Sequence, residues 1–192
     1  MTGHERLPRR FFDRDALDVA PDLLNKVVRR GERAGRIVEV EAYRGPDDPG
    51  SHGFRGPTPR TEVMFGPPGH LYVYFSYGMH WCANIVCGPP GTCSAVLLRA
   101  LAPMEGIDEM YADRPAARRD TDLCSGPAKL CQAMGIDGAL DGLDLITGSG
   151  VRVLDDGTPV PAESVQTARI GLSKGAELPW RWHVAADPNV SR

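Results

Sequence analysis

Cysteine pairs, long apolar runs, a surplus of basic charge and the common phosphate and zinc motifs are all missing from this sequence. Its five cysteines (Cys82, Cys87, Cys93, Cys124, Cys131) are odd in number and scattered, with no C-x-x-C spacing. Neither a zinc knuckle nor a redox pair is therefore supported, and the thiols read as reduced and buried. No stretch approaches the ~20 apolar residues that span a bilayer. The opening MTGHERLPRRFF is basic but lacks an apolar core, so a secretory leader is not expected and the cytoplasm is. Without H-x-x-x-H or H-E-x-x-H spacing, a hydrolytic zinc site is disfavoured. Nucleotide-triphosphate and nicotinamide chemistry are disfavoured too, because G-x-x-x-x-G-K and a G-x-G-x-x-G after a strand are absent. A net charge of −3 argues against nucleic acid as a partner. The cations argue the other way: only Lys26, Lys129 and Lys174 are lysines, and arginine suits bidentate phosphate contacts and stacking.

What is present fits one mixed domain. The 192 residues, 42% of them hydrophobic, can bury a sizeable core, and no repeat, low-complexity segment or linker divides them. Residues 1–10 are expected to be flexible and 185–192 to form a tail. Apolar spacing from Phe11 to Val28 predicts helix, with Asp13 or Asp15 as cap and Pro21 opening a second short helix. Leu71–Cys87 reads as a β-hairpin whose turn lies near Tyr77-Gly78. Ser94–Ala100 reads as a central strand, and a helix is expected after Pro103. Another helix is expected in Cys124–Gly135, capped by Ser125. The words LDLIT, VRVL, TARIGL and WRWHV are expected to be short strands.

Arg36 to His52, RIVEVEAYRGPDDPGSH, is the best place to look for chemistry. Strand alternation puts Val38, Val40 and Ala42 on one side and Glu39, Glu41 and Tyr43 on the other. A Gly/Pro/Asp-rich turn then brings His52 back towards the acids. Parity leaves Glu39 and Glu41 equal candidates, and a salt bridge to Arg99 or Arg36 accounts for either acid as well as catalysis does. The hairpin is rich in aromatics (Tyr72, Tyr74, Phe75, Tyr77, Trp81), and Tyr43, Tyr74 and Tyr77 could be flat rings that sandwich a nucleobase. Residues alone thus describe an aromatic pocket with an acid, a histidine and an arginine, without naming a reaction.

Taken in order, EAYRGPDDPGSH, RGPTPRTEVMF, LYVYFSYGMHWCANIV, AVLLRALAP, LCSGPAKLCQA and ARIGLSKGAELPWRWHV resemble the alkyladenine (3-methyladenine, methylpurine) DNA glycosylase family, from about Phe11 to Val184. The resemblance implies an α+β fold: a curved, mostly antiparallel sheet with a protruding hairpin and peripheral helices. It implies a monomeric, monofunctional enzyme that flips damaged purines (3-methyladenine, hypoxanthine, ethenoadenine) out of double-stranded DNA. The N-glycosidic bond is then hydrolysed with no metal and no cofactor. In that reading Glu41 is the general base, and Arg99 helps to fix the water and the target phosphate. Tyr43 forms one wall of the base pocket and His52 with Tyr74 the other, while Asn84 rejects guanine. Tyr77 is the intercalating wedge. Thr58, Arg60, Met64, Met79, Ser125, Gly126 and Lys129 contact DNA. Two other classes stay open: a non-catalytic nucleic-acid-binding domain, and a hydrolase of free nucleosides.

Overall fold

The computed structural model describes residues 4–191; residues 1–3 and 192, including the start of the expected flexible segment, lie outside the described residues. Strand β1 (Glu5–Arg6) is followed by two short helices, α1 (Arg9–Phe12) and α2 (Ala16–Leu23). The Asp15 carboxylate caps α2 by accepting the Leu17 N–H at 3.0 Å. Ala16, Val19, Ala20 and Leu23 then form its buried stripe, at the spacing of one helix face. Pro21 does not open a second helix, because it lies within the last turn of α2. Nor does helix run to Val28. Asn25 takes a left-handed conformation (φ 68°), which asparagine tolerates, and turns the chain into strand β2 (Val27–Arg30).

The remaining strands are β3 (Arg33–Arg44), β4 (Leu71–Ser76), β5 (His80–Cys87), β6 (Ser94–Glu105), β7 (Arg152–Asp155), β8 (Ser164–Thr167) and β9 (Arg181–Val184). All pair antiparallel in one nine-stranded sheet, ordered β1-β7-β2-β3-β6-β5-β4, with β9 beside the second half of β3 and β8 outside it. The sheet is strongly curled, so the α+β architecture expected from the resemblance is the one observed. LDLIT contributes only an isolated bridge, and the TARIGL strand ends at Thr167. Strand β6 outruns Ala100 because Pro103 still faces Gly35 of β3. The helix expected after Pro103 therefore waits for Gly106, and α3 spans Ile107–Asp113. A small α4 (Asp120–Leu123) precedes α5 (Pro127–Met134), whose N-cap is Gly126 rather than Ser125. Both ends of the described chain are packed: Glu5 and Arg6 pair with β7, and Ser191 is buried.

The helices pack on one face of the sheet. The core there takes Ile37, Val40 and Ala42 of β3, Leu71 and Val73 of β4, Ala83 and Ile85 of β5, and Val96 and Leu98 of β6. Strict alternation fails in the middle of β3. The pairing of β3 with β6 passes over Val38 and Arg99, so a bulge resets the parity and Ile37, not Val38, joins that core. Side chains of the opposite face, among them Glu39, Glu41, Tyr43, Tyr72, Tyr74 and Asn84, are left to build a site.

Candidate active site

Two fully buried carboxylates, Glu39 and Glu41, stand two residues apart on β3. Arg99 serves both: Nε donates to Glu39 Oε1 at 2.8 Å and Nη1 lies 3.1 Å from Glu41 Oε1. Arg181 donates from Nε to Glu39 Oε1 at 2.7 Å. Two acids thus face two arginines, and the cluster is neutral. Desolvation costs several kcal/mol per ion, so such a cluster is weak evidence for stability and marks a place where function is expected.

The two acids differ in their free valences. A carboxylate offers about four lone-pair sites. Glu39 meets four donors: Arg99, Arg181, the Ser191 N–H at 2.6 Å and the Ser191 hydroxyl at 2.8 Å. Burial raises its pKa, but Arg99, Ser191 and Arg181 outweigh that and hold it below the usual range. Glu41 meets fewer, two hydrogen bonds and one ion pair. Arg99 and the Ile170 N–H (2.8 Å) reach Oε1, and the Tyr43 hydroxyl donates to Oε2 at 2.8 Å. One site on Oε2 stays free. Burial, with the Glu41 charge second, drives the Tyr43 pKa far upward, so its hydroxyl remains a donor.

Tyr43 also lines a narrow cavity of about 60 Å³ together with His52, Met64, Tyr72, Tyr74, Asn84, Gly50 and Leu172. Glu41 does not line it; the carboxylate stands behind the Tyr43 hydroxyl. Tyr72 and Tyr74 alternate onto the same face of β4 with their rings 5.5 Å apart and 28° from parallel. The His52 ring meets Tyr74 edge-on at 4.5 Å, and its Nδ1 is 3.2 Å from the Tyr72 hydroxyl. Burial lifts the tyrosine pKa values, that of Tyr72 to about 12. Asn84 donates from Nδ2 to the Tyr72 carbonyl at 3.2 Å, which fixes the direction of its amide.

Burial first, and Arg60 second, lower the His52 pKa below its ordinary 6.5. Both effects favour the neutral imidazole. Because the unfolded chain takes up this proton more readily, the neutral ring's contribution to stability is complete above pH 6.5 and is lost as the pH falls below it. An NMR titration should place the His52 midpoint under 6.5. The melting temperature should fall on acidification from that pH, and the His52→Gln variant should lack that part of the fall.

The structure brings together Glu41, Arg99, Tyr43, His52, Tyr74 and Asn84. Four other expectations change. Met64 sits in a short 3-10 turn (Glu62–Phe65), 3% exposed, packed with Tyr72, Val86 and Cys93. It is a wall of the slot. Arg99 is buried among the carboxylates, with Nη2 donating to Ser191 Oγ at 3.1 Å, so it does not face a surface where a phosphate would lie. Gly126 is buried as the α5 cap, whereas Ser125 and Lys129 line a separate recess with Arg119 and Asp122. Arg36 pairs with Asp156 and with neither glutamate. Thr58 and Arg60 are exposed as expected, with the Arg60 guanidinium 5.4 Å from the Tyr74 ring centre. All five cysteines are free and buried.

At the hairpin tip, the Met79 N–H donates to the Ser76 carbonyl at 3.1 Å, and Tyr77 (φ 50°) and Gly78 (φ 65°) are both left-handed. That is the requirement of a primed hairpin turn. Tyr77 is 85% and Met79 68% exposed, with Phe75 beside them at 45%.

Sequence reasoning missed Tyr72, although its i, i+2 relation to Tyr74 signals it. It also missed Ile170, Arg181 and Ser191, which approach from elements far along the chain and carry no local signal.

The model of the family described as Methylpurine-DNA glycosylase matches residues 10–188. A relative from Burkholderia lata is 59% identical over 187 residues, covering 96% of this chain and 90% of that protein. One from Streptomyces avermitilis is 52% identical over 192 residues (96% and 90%), and one from Carboxydothermus hydrogenoformans 48% over 191 (97% and 98%). Each carries the name "Putative 3-methyladenine DNA glycosylase".

Proposed function

The chain belongs to the methylpurine-DNA glycosylase family, and from that premise we propose that it releases damaged purines from double-stranded DNA by hydrolysing the N-glycosidic bond. Its substrates are 3-methyladenine, hypoxanthine and ethenoadenine; it acts as a monomer and leaves an abasic site without cutting the strand. One observation carries the reading: a buried carboxylate with an open acceptor site on Oε2, Glu41, stands directly behind an aromatic slot. Glu39, engaged by four donors, is the structural partner that keeps Arg99 and Arg181 in place.

The duplex hides its bases, so the damaged nucleotide must leave the stack, at a cost of a few kcal/mol that damage or mispairing reduces. Tyr77 fills the gap. The base enters between Tyr43 and the His52–Tyr74 wall, each stacked ring contributing ~1–3 kcal/mol. Glu41 then accepts a proton from water through Oε2 as the water oxygen bonds to C1′ and the bond to the purine breaks with its electron pair. The negative carboxylate also stabilises the oxocarbenium-like sugar. A cationic methylated purine departs as a neutral base, and a neutral imidazole at His52 does not repel it. Asn84, its amide fixed, opposes the exocyclic amine of guanine.

The test is incubation with labelled duplexes carrying each lesion, with and without subsequent alkali. A strand break that appears only after alkali is the expected result. No cleavage of any lesion would favour a non-catalytic DNA-binding domain.

A further inference from the structure

Arg169, in the ARIGL stretch but given no role above, is among the most enclosed cations of the described residues. Its side chain and that of Asp48 are both fully buried, joined by a fork of 2.6 and 2.7 Å. Nη1 also donates to the Ala42 carbonyl and Nη2 to the Gly175 carbonyl, each at 3.0 Å. The guanidinium lies 4.6 Å from the centre of the Tyr43 ring and 5.2 Å from that of Trp180. The next residue, Ile170, sends its N–H to Glu41 Oε1 at 2.8 Å.

These contacts converge on the slot from three sides. Ala42, the residue between Glu41 and Tyr43, is held by its carbonyl on Arg169 and by its N–H on the Trp180 carbonyl at 2.8 Å. Asp48 accepts the N–H groups of Arg44 (3.2 Å) and Gly50 (2.9 Å), and so fixes the turn that leads to His52. The guanidinium carbon sits over the Tyr43 ring, a cation–π contact. A buried ion pair is a poor stabilising device, since apolar groups of similar volume often replace one at no cost. Here Nη1 and Nη2 are spent on groups that orient the slot, while the buried Nε has no partner among the described residues.

We infer that Arg169 is a positioning residue of the glycosylase reaction: through Asp48, Ala42 and the Tyr43 ring it sets the distance between the base slot and the Glu41 carboxylate. The inference rests on Glu41 being the general base. Arginine is required for the role, because lysine keeps the charge but has neither the fork nor the plane.

The experiment compares wild type, Arg169→Lys, Tyr43→Ala, their double variant and Glu41→Gln in single-turnover excision from a hypoxanthine duplex. Binding of the same duplex and thermal unfolding are measured in parallel, and the assays run well below each melting point. A displacement on the order of 1 Å costs about 10²-fold in rate, and a loss of about that size is expected for Arg169→Lys, with duplex affinity changed much less. The double variant should lose less than the product of the two single losses, since both act through one ring. A rate equal to wild type, or losses that multiply as those of independent sites do, would overturn the positioning role while leaving Glu41 as the base. Undiminished excision by Glu41→Gln would overturn both. Should Arg169→Lys fail to fold, Asp48→Asn takes its place in the same comparison, because it releases the His52 turn and leaves the guanidinium over Tyr43.

Discussion

Glu41→Gln is expected to slow excision by roughly 10²–10⁴-fold, the usual contribution of a general base, while lesion-duplex binding stays close to wild type. The amide keeps the shape and one acceptor oxygen. That oxygen can still take the Arg99 and Ile170 N–H groups that now reach Oε1. The other terminus becomes an NH₂ group, and the free acceptor site of Oε2 is gone. The Tyr43 hydroxyl, now a donor to Oε2, must turn to accept instead. The cluster of two acids and two arginines acquires a net positive charge in a dry place, so some loss of stability accompanies the substitution. Thermal unfolding must therefore be followed beside the kinetics, with rates read where the variant is folded. Glu39→Gln is the informative contrast. It disturbs the same charge balance, and all four of its donors lose a carboxylate. Stability should fall there with a far smaller effect on rate. Near-normal excision by Glu41→Gln would remove it as the base.

These two glutamates also mark the limit of what the sequence can say. Alternation along β3 puts them on one face, and that much was legible because a two-residue period is a local property. Choosing between them needs the donor count on each carboxylate, and the deciding donors come from Ile170, Arg181 and Ser191, on other strands and loops. The resemblance to a known family supplied the choice by analogy; the smaller number of hydrogen bonds on Glu41, and its place behind the Tyr43 hydroxyl, supply a physical reason for it. The same division runs through the fold. The hairpin and α2 could be anticipated from periodicity, a cap and a turn glycine. The bulge at Val38 and Arg99 could not, because it is a mismatch between two strands and has no signature in either. Pro103 misleads for a related reason: a proline that suits a first helical turn also fits a strand where it faces Gly35. Met64 reads as an exposed loop residue until the short turn around it is seen to pack under Tyr72.

Removing the ring of Tyr77 should weaken excision from duplex DNA by about 5- to 150-fold, the equivalent of ~1–3 kcal/mol for one stacked base. The expectation follows from where the structure spends strain. An L residue other than glycine or asparagine in the left-handed region costs roughly 1–2 kcal/mol, and Tyr77 accepts that cost at φ 50° while making no core contact that would repay it. A large ring 85% exposed at the end of a tight turn is unfavourable for the free protein and useful only against a partner. Stacked bases are such a partner, and Met79 and Phe75 on either side extend the apolar tip. Tyr77→Ala keeps the turn geometry and its strain, so the melting temperature should hardly move. The chemistry at Glu41 should be untouched, and excision from single strands, which have no stack to open, should fall much less than from duplex. Loss to the same degree on both substrates would assign the ring to general affinity and leave the extrusion step without a wedge. Tyr77→Gly sharpens the reading, because it removes the ring and relieves the strain together. A variant that is more stable than wild type yet equally impaired on duplex would separate what the tip costs the fold from what it does to DNA.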